Sequence, residues 1–172
     1  MRRAAEPYLV DRPRAKRVTD DELVWHVVEA MWPLVDIYSG ASEQSLAYAR
    51  RGQVAVYATR FVDSEICNGG FHQLFYNSTG ILYAEAVAGF ERLGAAEYAQ
   101  LLQTAGALLG RSVPRDRDAR IARLERIPYE EWKQRIAKAE ARYYRIRRGT
   151  KALERFARRY IDEHPGEFFI GE

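Results

Sequence analysis

Apolar residues recur along this chain at steps of three and four, the spacing of one face of an α-helix, and nowhere in a convincing alternating run. Thr19, followed by Asp20, Asp21 and Glu22, reads as a capping-box start with its acids at the positive end of the helix dipole. Leu23, Val27, Met31, Leu34 and Tyr38 then share a stripe that Pro33 bends or ends early, and Ser39-Gly40 stops what remains. Ser42 opens a second helix with Leu46, Val54, Tyr57, Ala58 and Phe61 buried, and Glu65 falls one turn further along that stripe. A short helix is expected over 71–76. Further helices follow over 81–93, stopped by Gly94, and over 95–109. Beyond a link at 111–115, residues 116–126 form a short helix on Ile121 and Leu124. Pro128 suits the first turn of a long helix whose stripe is Trp132, Ile136, Ala139, Tyr143 and Ile146. Gly149-Thr150 breaks or kinks it, Leu153, Phe156, Ala157, Tyr160 and Ile161 continue the pattern, and Phe168, Phe169 and Ile170 dock on the body. The fold class is therefore all-α: a single-domain bundle of about six to eight helices over 19–172, preceded by a basic, loosely attached arm over 1–18.

Between two helical stretches, residues 65–80 concentrate unusual chemistry: adjacent Gly69 and Gly70, the amides Asn68, Gln73 and Asn77, His72, and the aromatics Phe71, Phe75 and Tyr76. Two glycines imply a tight turn or a close backbone approach, flanking aromatics imply burial, and buried amides need partners. One reading is a polar pocket lined by Glu65, Asn68, His72, Gln73 and Asn77, with Cys67 nearby as a nucleophile. The stronger reading is structural. Asn68 and Gly69 end a helix, Glu65 accepts from freed backbone N–H groups, Asn77 caps or turns the chain, and Cys67 is a small buried hydrophobe; Gly69, Gly70, Phe71 and Phe75 form the frame.

The same stretch carries a resemblance. Glu65-Ile66-Cys67-Asn68-Gly69-Gly70-Phe71, with Gln73, Phe75 and Asn77-Ser78-Thr79-Gly80, resembles the signature of a bacterial domain family named after a DNA-mimic protein. It extends through Ala84-Glu85-Ala86 and Leu93-Gly94-Ala95, and more weakly to Arg142-Tyr143-Tyr144 and Phe168. Cys67 stands where the family often has another asparagine. The resemblance implies an α-helical cytoplasmic domain. For the founding example it implies an acidic surface that takes the place of DNA on a transcription factor.

Charge departs from that picture. The chain is net +3, with 47% hydrophobic and 30% charged residues. Residues 1–18 carry six basic against two acidic residues, 19–110 four against eleven, and 111–172 seventeen against eleven. An acidic middle lies between basic ends, which argues against mimicry of a polyanion. Arg120, Arg123, Arg145, Arg148, Arg155 and Arg159 are the candidate basic patch, and interspersed acids such as Asp116, Glu125 and Glu154 favour a partly paired, solvated helix face.

The single cysteine excludes an intrachain disulfide and fits a reducing cytoplasm. No apolar run approaches the roughly 20 residues of a membrane span, and no signal peptide is expected. His26, His72 and His164 are scattered, no phosphate-cradling loop is present, and neither metal nor cofactor is expected. The functional expectation is a non-enzymatic interaction module that binds a protein partner through charged surfaces. The alternatives are a small-molecule or enzymatic pocket at the 65–77 motif, and a weak, sequence-independent nucleic-acid binder.

Overall fold

A computed structural model describes residues 9–11, 18–38, 42–149 and 152–171. Eight α-helices carry the described chain: α1 (Asp20–Met31), α2 (Ser42–Leu46), α3 (Arg51–Tyr76), α4 (Tyr83–Arg92), α5 (Ala96–Ala107), α6 (Arg117–Leu124), α7 (Tyr129–Arg148) and α8 (Leu153–Glu163). Short 3₁₀ turns at Trp32–Leu34, Ser78–Leu82 and Pro165–Glu167 finish α1, lead into α4 and follow α8. Among the described residues there is no strand, only an isolated parallel bridge between Val10 and Phe169. No helix among them is long and apolar enough to cross a membrane.

The stripes read from the sequence are the buried faces. On α7 the buried residues are Trp132, Ile136, Ala139, Tyr143 and Ile146. On α8 they are Leu153, Ala157, Tyr160 and Ile161, with Phe156 partly covered. The expected box at the head of α1 forms, with Thr19 Oγ1 accepting from Glu22 N at 3.2 Å and Glu22 Oε2 accepting from Thr19 N at 2.8 Å. Pro33 ends α1 at Met31 and sits inside the 3₁₀ turn that follows. Gly94, at φ +77°, stops the chain after α4.

Three boundaries differ from the sequence reading. The helix expected to run on from Ser42 is divided: α2 ends at Leu46, and α3 starts at Arg51 with the Gln53 side chain accepting from Arg50 N at 2.9 Å. That local acceptor, together with Glu167 Oε2 accepting from Gly52 N at 2.5 Å, fixes a new helix start that the apolar stripe conceals. Residues 71–76 are not a separate short helix but the second limb of α3, beyond a kink at Gly69 and Gly70. The helix expected from Ile81 begins as a 3₁₀ turn and becomes α-helical only at Tyr83.

The arm over 1–18 is described at only a few positions. There Val10 N donates to Phe168 O and Ile170 N to Val10 O, both at 3.0 Å, and Asp11 O lies 2.8 Å from His26 Nε2. This short segment is therefore hydrogen-bonded to the body, and Val18 O accepts from Arg158 Nη1 at 3.1 Å; residues 1–8 and 12–17, and Ser39-Gly40, lie outside the described residues. Of the terminal apolar trio, Phe168 and Phe169 are buried and Ile170 is exposed.

α3 is the spine. It packs against α1, α4, α6, α7 and α8, while α5 lies between α4 and α7. The core is continuous from Val24 and Val28 of α1 through Ile66, Phe71 and Phe75 of α3 to Phe90, Leu102 and Tyr143.

Candidate functional site

The motif at 65–80 occupies the kink of α3 and its C-terminal end. Gly70 has φ +73° and ψ −174°, a conformation essentially reserved for glycine. The break frees backbone N–H groups, and Phe71 N donates to Glu140 Oε1 of α7 at 2.9 Å. A Cβ at Gly70 would collide with that Glu140 carboxylate, so the glycine is needed both for its dihedral and for the approach of α7.

Glu65, half-buried on the first limb, receives three side-chain donors from beyond the break. Gln73 Nε2 donates to its Oε1 at 2.6 Å, Asn77 Nδ2 to the same oxygen at 2.7 Å, and Thr79 Oγ1 to Oε2 at 2.8 Å. Charge-assisted bonds of this length are the stronger kind, and together they hold the two limbs of α3 and the following 3₁₀ turn in one arrangement. The donors are side chains, where the sequence reading gave Glu65 freed backbone N–H groups. The freed Phe71 N–H goes instead to Glu140, sixty-nine residues away.

The five candidate pocket residues thus divide. Glu65, Gln73 and Asn77 meet. Asn68 is exposed at the kink. His72 turns to another face of the second limb, edge-on to Tyr129 and Trp132 with ring centroids 5.1 and 5.8 Å away, and stacks on Tyr76 at 6.5 Å. Helical geometry accounts for this: Gln73 and Asn77 lie four apart on one face, His72 and Tyr76 four apart on the next. Cys67 is exposed, not buried as expected, because it lies on the outer side of the last turn before the kink. Partial desolvation of its thiol, then the nearby Asp63 carboxylate, push its pKa up, opposite to what a reactive thiolate requires.

Desolvation lowers the His72 pKa below its ordinary value of 6.5, with Glu140 opposing. A native histidine held neutral takes up fewer protons than the unfolded chain, so its contribution to stability is intact above about pH 6.5 and is lost as pH falls through and below that point. The thermal midpoint of the parent is expected to drop more between pH 7.5 and pH 5.5 than that of His72→Phe, which keeps an aromatic ring in the same surroundings. Parallel melts at the two pH values check this; equal drops would contradict it.

Two further clusters were not found from sequence. Arg120 of α6, assigned to the basic patch, is fully buried. Its Nε donates to Phe75 O at 3.2 Å, Nη2 to Asn77 O at 2.9 Å, and Nη1 to Pro114 O at 3.2 Å and to Arg115 O. Arg117 Nε donates to Tyr76 O at 2.9 Å. Two arginines of α6 therefore cap the orphan carbonyls at the negative end of α3. Burial draws the Arg120 pKa down to about 10, so it remains a cation at neutral pH. Gly80 lets this guanidinium and Leu74 O come close, since a Cβ there would overlap both. The available signal was the spacing of Arg120 to Leu124, which places the arginine on the buried face of α6.

The second cluster ties α3 to α7 and α8. Asp63 is fully buried and accepts from Tyr143 Oη at 2.9 Å and from Arg147 Nε at 2.9 Å, while Arg147 Nη1 reaches Glu154 at 3.0 Å. Burial pushes the Asp63 pKa up, opposed by Arg147 and the Tyr143 hydroxyl. Of the other patch arginines, Arg123 donates to Ser112 O and Leu109 O; Arg159 donates to Leu93 O at 3.4 Å and lies over Phe156. Arg155 is exposed on α8, and Arg145 and Arg148 are exposed at the end of α7 beside a groove of about 540 Å³.

Four grooves on the described surface, of about 520, 540, 350 and 160 Å³, are lined without any of Glu65, Asn68, His72, Gln73 or Asn77. Among the described residues no three histidine, cysteine or acidic side chains are grouped as metal ligands would be.

A helical domain whose distinctive polar residues are bonded to one another across a broken spine is the class that this geometry defines. The chain belongs to the DMP19-like protein family, whose model matches residues 49–164, from just before α3 to just after α8. Neither curated protein sequences nor solved structures gave a match to the chain.

Proposed function

We propose that this member of the family is a non-enzymatic interaction module that binds a protein partner through its charged surface, without acting as an acidic copy of duplex DNA. The observation that carries the reading is the consumption of the motif's donors. Gln73, Asn77 and Thr79 are spent on Glu65, and His72 is packed among aromatic rings, so these side chains do not converge on an open cleft as an acid, base and nucleophile would. The positive charge of residues 111–172 argues against a continuous phosphate-like band. Much of that charge is itself engaged: Arg115 with Glu85, Arg142 with Glu97, Arg147 with Asp63 and Glu154, Arg158 with Asp162, and Arg120 with buried carbonyls. These five arginines are therefore not available as free phosphate contacts.

The immobilised protein, incubated with an extract of its own cells at about 50 mM salt, is expected to retain a discrete protein that is released by about 200 mM salt. Unrelated DNA duplexes titrated at the lower salt are expected to give no gel shift. Tight duplex binding, or retention only of nucleic acid, would overturn the reading.

A further inference from the structure

The described surface carries one aromatic ledge that the core does not require. Trp32, Leu34 and Tyr38, at the end of α1 and in the chain that follows, are 54%, 39% and 83% exposed. With Phe61 and Tyr57 of α3 they line a groove of about 350 Å³. Trp25 and Trp32 stack with centroids 6.2 Å apart and planes at 24°, and Trp32 meets Phe61 edge-on at 5.2 Å. The indole of Trp32 is thus held firmly from one side and presented to solvent on the other. Exposed, clustered aromatics of this kind mark interaction surfaces, and tryptophan and tyrosine are over-represented among the residues that dominate interface energies.

Charge decides what fits there. Residues 19–49 contain six acidic residues and no lysine or arginine, and of the acids Asp20, Asp21 and Glu43 pair with Arg158, Arg60 and Arg115 while Glu22 caps α1. Glu29 lies four residues after Trp25 and three before Trp32, on the same face of α1, exposed and without a partner among the described residues. Asp36 is on the groove wall. The ledge also shows its preferred chemistry already in use at its inner end, where the Arg60 guanidinium lies over the Trp25 ring at 4.8 Å. A guanidinium over an indole face is an attractive arrangement, and the exposed Trp32 ring offers a second such seat, with the acidic Glu29 one helical turn before it in sequence.

We propose that this ledge docks an extended segment of a protein partner in which arginine alternates with proline or leucine. The cation stacks on Trp32 beside Glu29, and the apolar residues enter the groove between Leu34, Tyr38 and Phe61. Extended proline-bearing segments suit aromatic-lined grooves because little conformational freedom remains to be lost on binding. This rests on the reading of the chain as a protein-binding module and names the surface and the chemistry of the partner.

The test is calorimetric titration of the full chain with a synthetic nonapeptide of three Arg-Pro-Leu repeats, against the same peptide with glutamate for arginine. Saturable binding of the arginine peptide alone is expected. Trp32→Ala weakens it about 10-fold or more, and Glu29→Gln weakens it less while flattening its salt dependence. Tyr38→Ala, at a side chain with little packing, serves if Trp32→Ala melts early. No saturable binding, equal binding by Trp32→Ala and Tyr38→Ala, or equal binding of the glutamate peptide overturns the proposal. A dimer that dissolves in Trp32→Ala but persists with peptide assigns the ledge to a second copy and overturns it too. If the parent and Trp32→Ala retain the same protein from extract equally, the ledge assignment fails and the module stands. If neither retains any protein, the module reading itself fails.

Discussion

Replacing Gly70 with valine is expected to lower stability by about 3–5 kcal/mol, or roughly 6–20 °C in thermal midpoint for a chain of this size. Three costs combine. At φ +73° and ψ −174° a side chain meets backbone strain of about 1–3 kcal/mol, and a β-branched one has the fewest escapes. The added Cβ occupies the position of the Glu140 carboxylate. Once displaced, Glu140 no longer receives Phe71 N, and loss of a helix cap costs about 1 kcal/mol more. Asparagine, which tolerates the left-handed helical region, is not expected to rescue, because ψ here lies far outside that region. Gly69 provides the contrast. Its φ of −157° is open to any residue and the obstruction is the Gln73 side chain, so Gly69→Ala loosens the Gln73–Glu65 bond but adds no backbone strain and is expected to cost less than Gly70→Ala. Scanning calorimetry of the four variants checks the order; Gly70→Val melting with the parent would refute the account of the kink.

Replacing Arg120 with methionine is expected to cost about 3–5 kcal/mol although the two side chains are similar in length. A thioether cannot donate, so the carbonyls of Phe75, Asn77, Pro114 and Arg115 lose a common partner that is itself fully buried, and the bond to Phe75 O lies in the interior. Two of these close α3 and two belong to the link before α6, so the loss falls on the junction between the spine and the C-terminal third. Arg120→Lys is expected to recover only part of the deficit. It keeps the charge, but its compact ammonium cannot reproduce a planar fork that spans four acceptors. Urea unfolding of both variants measures the difference, and a midpoint for Arg120→Met equal to the parent's would show that the carbonyls find other donors.

How much of this was legible in the sequence depended on how far apart the interacting residues lie. The α7 stripe from Trp132 to Ile146 was readable because burial repeats with the helix itself, and the stop at Gly94 because one residue type serves one dihedral. The gathering of polar residues around Glu65 was visible as a cluster, since all its donors lie within fourteen residues, although their roles as donors to that one carboxylate were not. His72 was grouped with them by proximity in sequence, where face-by-face counting would have separated it. Glu140 at the kink, Arg120 at the end of α3 and Tyr143 on Asp63 act across forty to eighty residues, and periodicity within a segment carries no record of them. Arginine at a buried position is also the least expected choice, because its acceptors are carbonyls that have no sequence identity.

The bridge of Val10 with Phe168 and Ile170, and the seat of Glu167 on the first turn of α3, have a consequence for the order of events during synthesis. Helical pairs such as α4 and α5 can form as soon as they leave the ribosome. Residue 10 has no partner until residues 168–170 have been made, a delay of roughly 8–30 s at ordinary elongation rates. Throughout that interval the emerging chain shows chaperones and proteases an incomplete molecule whose spine lacks the carboxylate that completes its first turn. A lesion confined to residues 167–170 would therefore be felt at residue 10 and at the first turn of α3, and already while the chain is being made rather than in the finished protein alone.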